Sequence, residues 1–455
     1  MKRPNFLVIM LDTLRPDYLG CGGSSWVKTP HMDALAARGL FFSRAYAEYP
    51  VTVPSRTALV SGSYTWTNRP WCPLRSYDLH IAEVLKAAGY ETACFSDSPM
   101  NAGAGLDRGF DTFVFFPEGK CHGHPDAEMD VDISDAYFPP HAEAERRFYY
   151  NTLVGRELAR RKYGMACPEL LFDQALAWLR ARRGTGPFFL WIDSFEPHEP
   201  WAPPQPYYQM YGADKHERYI PMPPGPAIDW MGPGDLEQVR ALYAGDVTHT
   251  DEMVGRVMET LEALGLMEDT LIAVISDHGS PLGEHGTIRK FGIPLYEELA
   301  RMTWLMALPG VVPQGRASDA LVQNVDLAPT LAELAGLAWE PEAPLRSIAG
   351  GPPPEDIAGR SLVPLLRGEV EEVRSAAYVG AFNLHASIVT ADGYKFIDNR
   401  GEKPNELYHL SQDPAEQENL AQREPDLAAE LHRKLWEFQA QWSAALAWRD
   451  EPARP

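Results

Sequence analysis

Cysteine is scarce and carries no pattern. Five thiols, Cys21, Cys72, Cys94, Cys121 and Cys167, are scattered through 455 residues with no CxxC pair and no zinc-ligand spacing. An odd, widely spread set argues against a disulfide scaffold. It reads as free thiols in a reducing compartment, so a cytoplasmic location is expected. Basic residues are also short: 41 Lys plus Arg face 63 Asp plus Glu, for a formal charge of -22. A surface of that sign repels nucleic acid and anionic membrane. It repels an anionic substrate too, so a phosphate or sulfate site needs a bound cation and local basic side chains. The N-terminal apolar run, Phe6 to Leu11, is too short to span a membrane or to serve as a signal-peptide core. No internal repeat or low-complexity tract is present. Apolar residues are plentiful at 45%. They supply a substantial core for a chain too long to be one small domain.

The apolar runs alternate with helical patterns. Strands are expected at Phe6 to Leu11, Thr92 to Phe95, Phe110 to Phe116, Pro187 to Ile192, Thr270 to Ile275 and Met302 to Leu308. Helices are expected at His31 to Gly39, from Thr52, and over Leu79 to Ala88, Leu170 to Arg183, 236–265 and Asp326 to Leu334. Residues 117–165 read as an insertion with a helix near 141–163. Residues 196–236, dense in proline and aromatics, read as long loops. Strands that are apolar along their whole length indicate a mostly parallel sheet buried on both faces. The fold class is therefore α/β, a large mostly parallel sheet flanked by helices. From about residue 340 the composition changes. Pro341, Pro344, Pro352, Pro353 and Pro354 mark a linker, followed by strands at Ala376 to Ala381, His385 to Thr390 and Tyr394 to Ile397 and a helix over Glu424 to Leu446. This predicts a large domain over 1–340 and a small C-terminal sheet-plus-helix domain over 341–455.

Active sites of such sheets lie beyond the carboxyl ends of the strands. Asp12, Asp193 and Asp277 each fall at such an end. Asp12, Asp277 and His278 converging on one point suit a divalent cation, with Mn, Ca, Mg and Zn all compatible with that ligation. Thr52 opens Thr52-Val53-Pro54-Ser55-Arg56 ahead of a helical run. A hydroxyl there is most often a cap. With Arg56 it also makes a nucleophile and clamp for a phosphoryl or sulfuryl group, and as a fourth metal ligand its pKa would fall. Lys290 supplies a positive charge against a transferring anion. His198, in Glu196-Pro197-His198-Glu199-Pro200, is either an ordinary loop histidine or one that protonates a leaving oxygen. His285 reads equally well as a support or as a substrate contact. Trp66, Trp71, Trp201 and the 117–165 insertion are expected around the substrate pocket.

These residues lie in a known pattern. Asn5-Phe6-Leu7-Val8-Ile9-Met10-Leu11-Asp12, Thr29-Pro30-His31-Met32-Asp33-Ala34-Leu35-Ala36 and Pro54-Ser55-Arg56-Thr57-Ala58-Leu59 belong to it. So do Ser276-Asp277-His278-Gly279, Leu282-Gly283-Glu284-His285-Gly286, Val325-Asp326-Leu327-Ala328-Pro329-Thr330 and Glu406-Leu407-Tyr408-His409-Leu410 with Asp413-Pro414. Over nearly its full length the chain resembles the sulfatase family of the alkaline phosphatase superfamily. The resemblance implies an alkaline phosphatase-like fold, one divalent metal on Asp12, Asp277 and His278, and a covalent intermediate at Thr52. It also implies a supporting role for Arg56 and substrate-side roles for His198 and Lys290.

The chain departs from the family at three places. Sulfatases carry Cys or Ser, converted to formylglycine, where this chain has Thr52. Many carry a second Asp at Thr13, and a Lys-x-His pair where this chain has Ser96-Asp97-Ser98. The leading single Asp and the Asp-His pair are more similar to phosphonate monoester and phosphodiester hydrolases. A formylglycine hydrate can expel sulfate with its second hydroxyl, whereas threonine has none; a phosphothreonine is released by in-line water attack. The expectation is a metal-dependent phosphate-ester hydrolase acting on small anionic esters through Thr52, with no nucleic-acid or membrane partner and with oligomeric state left open. Sulfate-ester hydrolysis by unmodified threonine, a phosphotransferase and a non-catalytic anion-binding protein remain as alternatives.

Overall fold

Seven consecutive buried residues form the spine of the molecule, strand β1 (Asn5–Leu11). In the computed structural model, which describes residues 3–446 except 77, 102, 117–130, 183, 185, 291 and 340–358, its side chains divide between two cores. Phe6, Val8 and Met10 enter one and Leu7, Ile9 and Leu11 the other. Alternation along a strand buried on both faces explains the unbroken apolar run. The other strands of the main part are β2 (Leu40–Phe42), β3 (Ala45–Tyr46), β4 (Glu91–Ser96), β5 (Thr112–Phe115), β6 (Phe188–Ser194), β7 (Thr270–Ser276), β8 (Trp304–Ala307), β9 (Arg316–Ser318) and β10 (Val322–Gln323). Eight of them make one sheet in the order β5-β4-β6-β1-β7-β8-β2-β9, and β10 pairs with β3. Every neighbouring pair in the large sheet is parallel except the two made by β8.

Helices Pro30–Arg38, Glu169–Ala181 and Asp235–Ala263 cover the face of Leu7, Ile9 and Leu11. Helices Thr52–Ser61, Ile81–Ala87, Leu327–Leu334 and Val363–Leu366 cover the other. A four-stranded antiparallel sheet follows: β11 (Ala376–Gly380), β12 (Ala386–Thr390), β13 (Tyr394–Asp398) and β14 (Glu406–His409). One face takes the helix Pro425–Leu446, whose Phe438 stacks on Tyr378 with ring centroids 3.7 Å apart. The other face lays Val379, Val389 and Ile397 against Tyr46, Leu295 and Leu321 of the main part. Lys395 is fully buried, held by Glu297 at 3.1 Å and Glu416 at 2.9 Å.

Most expected elements appear within a residue or two, including the helix of the insertion, at Glu143–Tyr163. The expected strand ending at Asp193 runs on to Ser194, so Asp193 lies inside β6. The short strands β2, β3, β9, β10 and β14 were not expected. The proline linker, the division at 340/341, Cys121 and residues 117–130 of the insertion lie outside the described residues. Helix Val363–Leu366, C-terminal to that division, packs into the core of the main sheet. The four described cysteines, Cys21, Cys72, Cys94 and Cys167, are free thiols. Among the described residues no helix is long and apolar enough to cross a membrane.

Candidate active site

Strand register brings the acidic residues together. Leu11 is paired with Ser194 on β6 and with Ser276 on β7, so Asp12 and Asp277 leave the sheet at the same level. Asp193 sits two residues below that level, paired with Met10 and with Ser96 of β4. Oxygens of Asp12 and Asp277 and a ring nitrogen of His278 all lie within 4.8 Å of one another, and all three residues are buried. Thr13 adopts a left-handed backbone, φ 62°, and its N–H donates to Asp277 Oδ1 at 3.0 Å. The His278 N–H donates to the same oxygen at 2.9 Å.

This donor set fits a divalent cation. Neither carboxylate oxygen of Asp12 receives a well-formed hydrogen bond in its buried position, and its one charged contact is the Arg56 guanidinium at 3.1 Å, which Arg56 shares with Asp277 and Asp193. Burial, reinforced by the neighbouring Asp277 charge, raises the Asp12 pKa well above the ordinary carboxylate range. Burial acts the same way on Asp277, but His278, Arg56 and Lys290 outweigh it and hold that carboxyl low. His278 Nδ1 lies 2.6 Å from the Gly279 carbonyl, which accepts its proton and leaves the Nε2 lone pair facing the carboxylates. Burial lowers the His278 pKa to about 4, so the ring is neutral as a ligand requires.

Thr52 is the first residue of its helix and Val51 the N-cap. Its hydroxyl accepts a hydrogen bond from Lys290 Nζ at 3.0 Å. The same ammonium lies 3.2 Å from His198 Nε2 and 3.3 Å from His278 Nε2. His198 Nδ1–H donates to the Glu199 carbonyl at 2.7 Å, and burial lowers that ring to a pKa of about 3. Lys290 Nζ thus lies within hydrogen-bond distance of Thr52, His198 and His278. The helix that begins at Thr52 is tied to the end of β7 because Ser55 Oγ donates to the Asp277 carbonyl at 2.7 Å, and Ser55 Oγ in turn accepts from Asn324 Nδ2 at 2.9 Å.

Arg56 faces inward. Its Nη1 lies 3.1 Å from Asp12 Oδ2 and 2.5 Å from Asp277 Oδ2, and Nε and Nη2 fork onto Asp193 at 3.0 and 2.8 Å. With 1% exposure it is ion-paired with a nest of three carboxylates at once, more than its single charge balances. The clamp on an outside anion expected of Arg56 is not its arrangement here. Asn101 Nδ2 completes the nest by donating to Asp193 Oδ2 at 2.9 Å.

The sulfatase family model matches residues 4–337, and a model of the N-sulphoglucosamine sulphohydrolase C-terminal region matches residues 283–441. The chain belongs to the sulfatase family. It is 26% identical to an arylsulfatase of Clostridium perfringens, covering 93% of this chain and 91% of that one. It is 25% identical to the multifunctional alkaline phosphatase superfamily protein PehA of Trinickia caryophylli, over 92% of each. The crystal structure of the phosphonate monoester hydrolase of Agrobacterium radiobacter superposes with a TM-score of 0.73 at 24% identity, covering 96% of both chains. This sulfatase-family chain is thus a hydrolase with an alkaline phosphatase-like fold, in a family of metal-dependent enzymes.

Other expected residues of this sulfatase-family protein fall elsewhere. Trp66 and Trp201 are fully buried, one packed on Gly380 and the other donating Nε1–H to the Pro197 carbonyl, so neither lines an open pocket. Trp71 is exposed. His285 stacks on Tyr296 at 3.7 Å and binds Glu298, at the seam with the C-terminal sheet rather than beside Thr52. Sequence reasoning missed Asn101 and the pairing of Asp193. The one available signal was the shared strand-end position of Asp193 with Asp12 and Asp277.

Proposed function

We propose that this sulfatase-family hydrolase cleaves phosphodiesters or phosphonate monoesters through a covalent intermediate on Thr52. The observation that carries the reading is the Thr52 hydroxyl at a helix start, bonded to the ammonium that also reaches His198 and His278. A divalent cation held by Asp12, Asp277 and His278, with Thr52 Oγ1 as fourth ligand, would lower the pKa of that hydroxyl and neutralise charge at the reacting centre. Residues 1–340 form the catalytic unit in this reading and 341–455 the smaller C-terminal one.

In the first step Thr52 Oγ1 attacks phosphorus in line, and the bond to the ester oxygen breaks. The Thr52 proton must reach that leaving oxygen. His198 is neutral at rest, and its Nε2 accepts from Lys290 Nζ at 3.2 Å. It therefore passes on a proton received through Lys290, instead of starting as the acid. In the second step water attacks phosphorus, the Thr52 oxygen leaves, and a proton given up by the attacking water passes to that oxygen. Threonine favours phosphorus over sulfur here because it lacks the second hydroxyl by which a formylglycine hydrate expels sulfate.

The test is a metal-supplemented screen of aryl phosphate monoesters, diesters, phosphonates and sulfates on wild type, Thr52→Ala and Thr52→Ser. Diester or phosphonate turnover should exceed sulfate turnover, vanish in Thr52→Ala and persist in part in Thr52→Ser. Sulfate turnover in the lead would overturn the substrate assignment and keep the nucleophile. Anion binding without any turnover would overturn the hydrolase reading of this particular site.

A further inference from the structure

The two groups that face Thr52 come from separate loops. His198 follows β6 and Lys290 follows β7. Neither loop is a regular element at that point, and nothing local in either one dictates the 3.2 Å between His198 Nε2 and Lys290 Nζ. Each residue has a charged neighbour in sequence, Glu199 beside His198 and Arg289 beside Lys290. Those two neighbours meet, with Arg289 Nε donating to Glu199 Oε1 at 2.6 Å. Both side chains are buried.

Each partner is tied further. The Arg289 backbone is left-handed, φ 62°, and its N–H donates to the Pro281 carbonyl at 2.9 Å. Its Nη1 reaches the Pro223 carbonyl at 3.3 Å and Glu145, on the insertion helix, at 3.4 Å. Glu199 Oε2 lies 3.4 Å from His198 Nδ1. One carboxylate thus meets the guanidinium with one oxygen and the back of the histidine ring with the other. The left-handed region is unfavourable for a residue with a side chain. A buried arginine held in that conformation by three separate acceptors is a determined arrangement.

We propose that the Arg289–Glu199 ion pair is a positioning latch, which fastens the β6 loop to the β7 loop so that His198 and Lys290 meet at Thr52. It touches no substrate atom and acts only through the two residues beside it. The proposal rests on the functional reading above for its kinetic consequence but not for its structural one.

Crystal structures and kinetics of Arg289→Ala and Glu199→Gln, as metal-loaded full-length proteins, test it. Glu199→Gln preserves shape and leaves Arg289 near Glu145, so it gives a folded second variant if Arg289→Ala does not fold. The His198–Lys290 separation should open beyond hydrogen-bond distance. On the best ester, kcat should fall about 100-fold with KM changed less than about 3-fold, the cost of a misplacement on the order of 1 Å. Guanidinium ion in the buffer should restore part of the rate of Arg289→Ala. A separation that stays near 3.2 Å in both variants overturns the latch, and so does a kcat within about twofold of wild type. If wild type itself turns over no ester, the functional reading fails while the measured separation still decides the latch.

Discussion

Replacing Arg56 by alanine tests the charge balance beneath the active site. The guanidinium is 1% exposed and contacts Asp12 at 3.1 Å, Asp277 at 2.5 Å and Asp193 at 2.8 Å. Without it Asp277 keeps the Thr13 and His278 N–H groups, and Asp193 keeps Asn101. Asp12 keeps no donor. Removing one member of a buried ion cluster costs about 3–5 kcal/mol. With a urea slope of about 3 kcal/mol/M, the unfolding midpoint should fall by roughly 1–2 M. The assay is urea unfolding followed by tryptophan fluorescence, in chelator and in saturating Mn. A cation held by Asp12, Asp277 and His278, as proposed above, would supply positive charge to the same carboxylates, so Mn should raise the midpoint of Arg56→Ala by more than that of wild type. A midpoint within about 0.3 M of wild type in chelator would refute the reasoning, since about 1 kcal/mol is too little for three buried carboxylates that lose their shared cation.

Two further outcomes follow from buried groups outside the site. Burial raises the Glu48 carboxyl to about 7, against three hydrogen bonds from Thr65 and Trp66 that lower it. Between the unfolded value near 4.5 and that folded value, the folded chain holds a proton the unfolded chain has released. Stability therefore declines as pH rises through this window and is level above it. Glu48→Gln should shrink the difference in unfolding free energy between pH 5 and pH 8 by roughly 2–3 kcal/mol, and an unchanged profile would rule this out. At Gly380 a Cβ would come within 2.5 Å of the Trp66 ring. Gly380→Ala should cost about 1–3 kcal/mol by overpacking, visible as a lower urea midpoint; a neutral result would mean that Trp66 can move aside.

The carboxylate end of the site was legible because it is written in strand ends. Asp12 and Asp277 terminate long apolar runs, and runs of six or seven such residues admit few readings. β3 and β10 have two residues each, too few for any periodicity to show. The inward turn of Arg56 was not legible, because it depends on Asp193 lying within β6, two pairing levels below Asp12. The Arg289–Glu199 bond joins residues 90 apart and has no local signal. The misplacement of Trp66 and Trp201 has a similar cause. Large aromatics near motif residues serve a core as readily as a pocket, and only packing distinguishes the two.

The register of β1 between β6 and β7 bears on how such a protein changes its substrate. The acidic groups are set by hydrogen bonds between strands, where a slip of one residue turns every side chain to the opposite face. The Lys290 and His198 side chains hang on loops, where insertions and replacements are tolerated. Inheritance can therefore treat the two halves separately. On the proposed reading, a change of ester would be written in the loops after β6 and β7, while Asp12 and Asp277 stay where the strand pairing sets them.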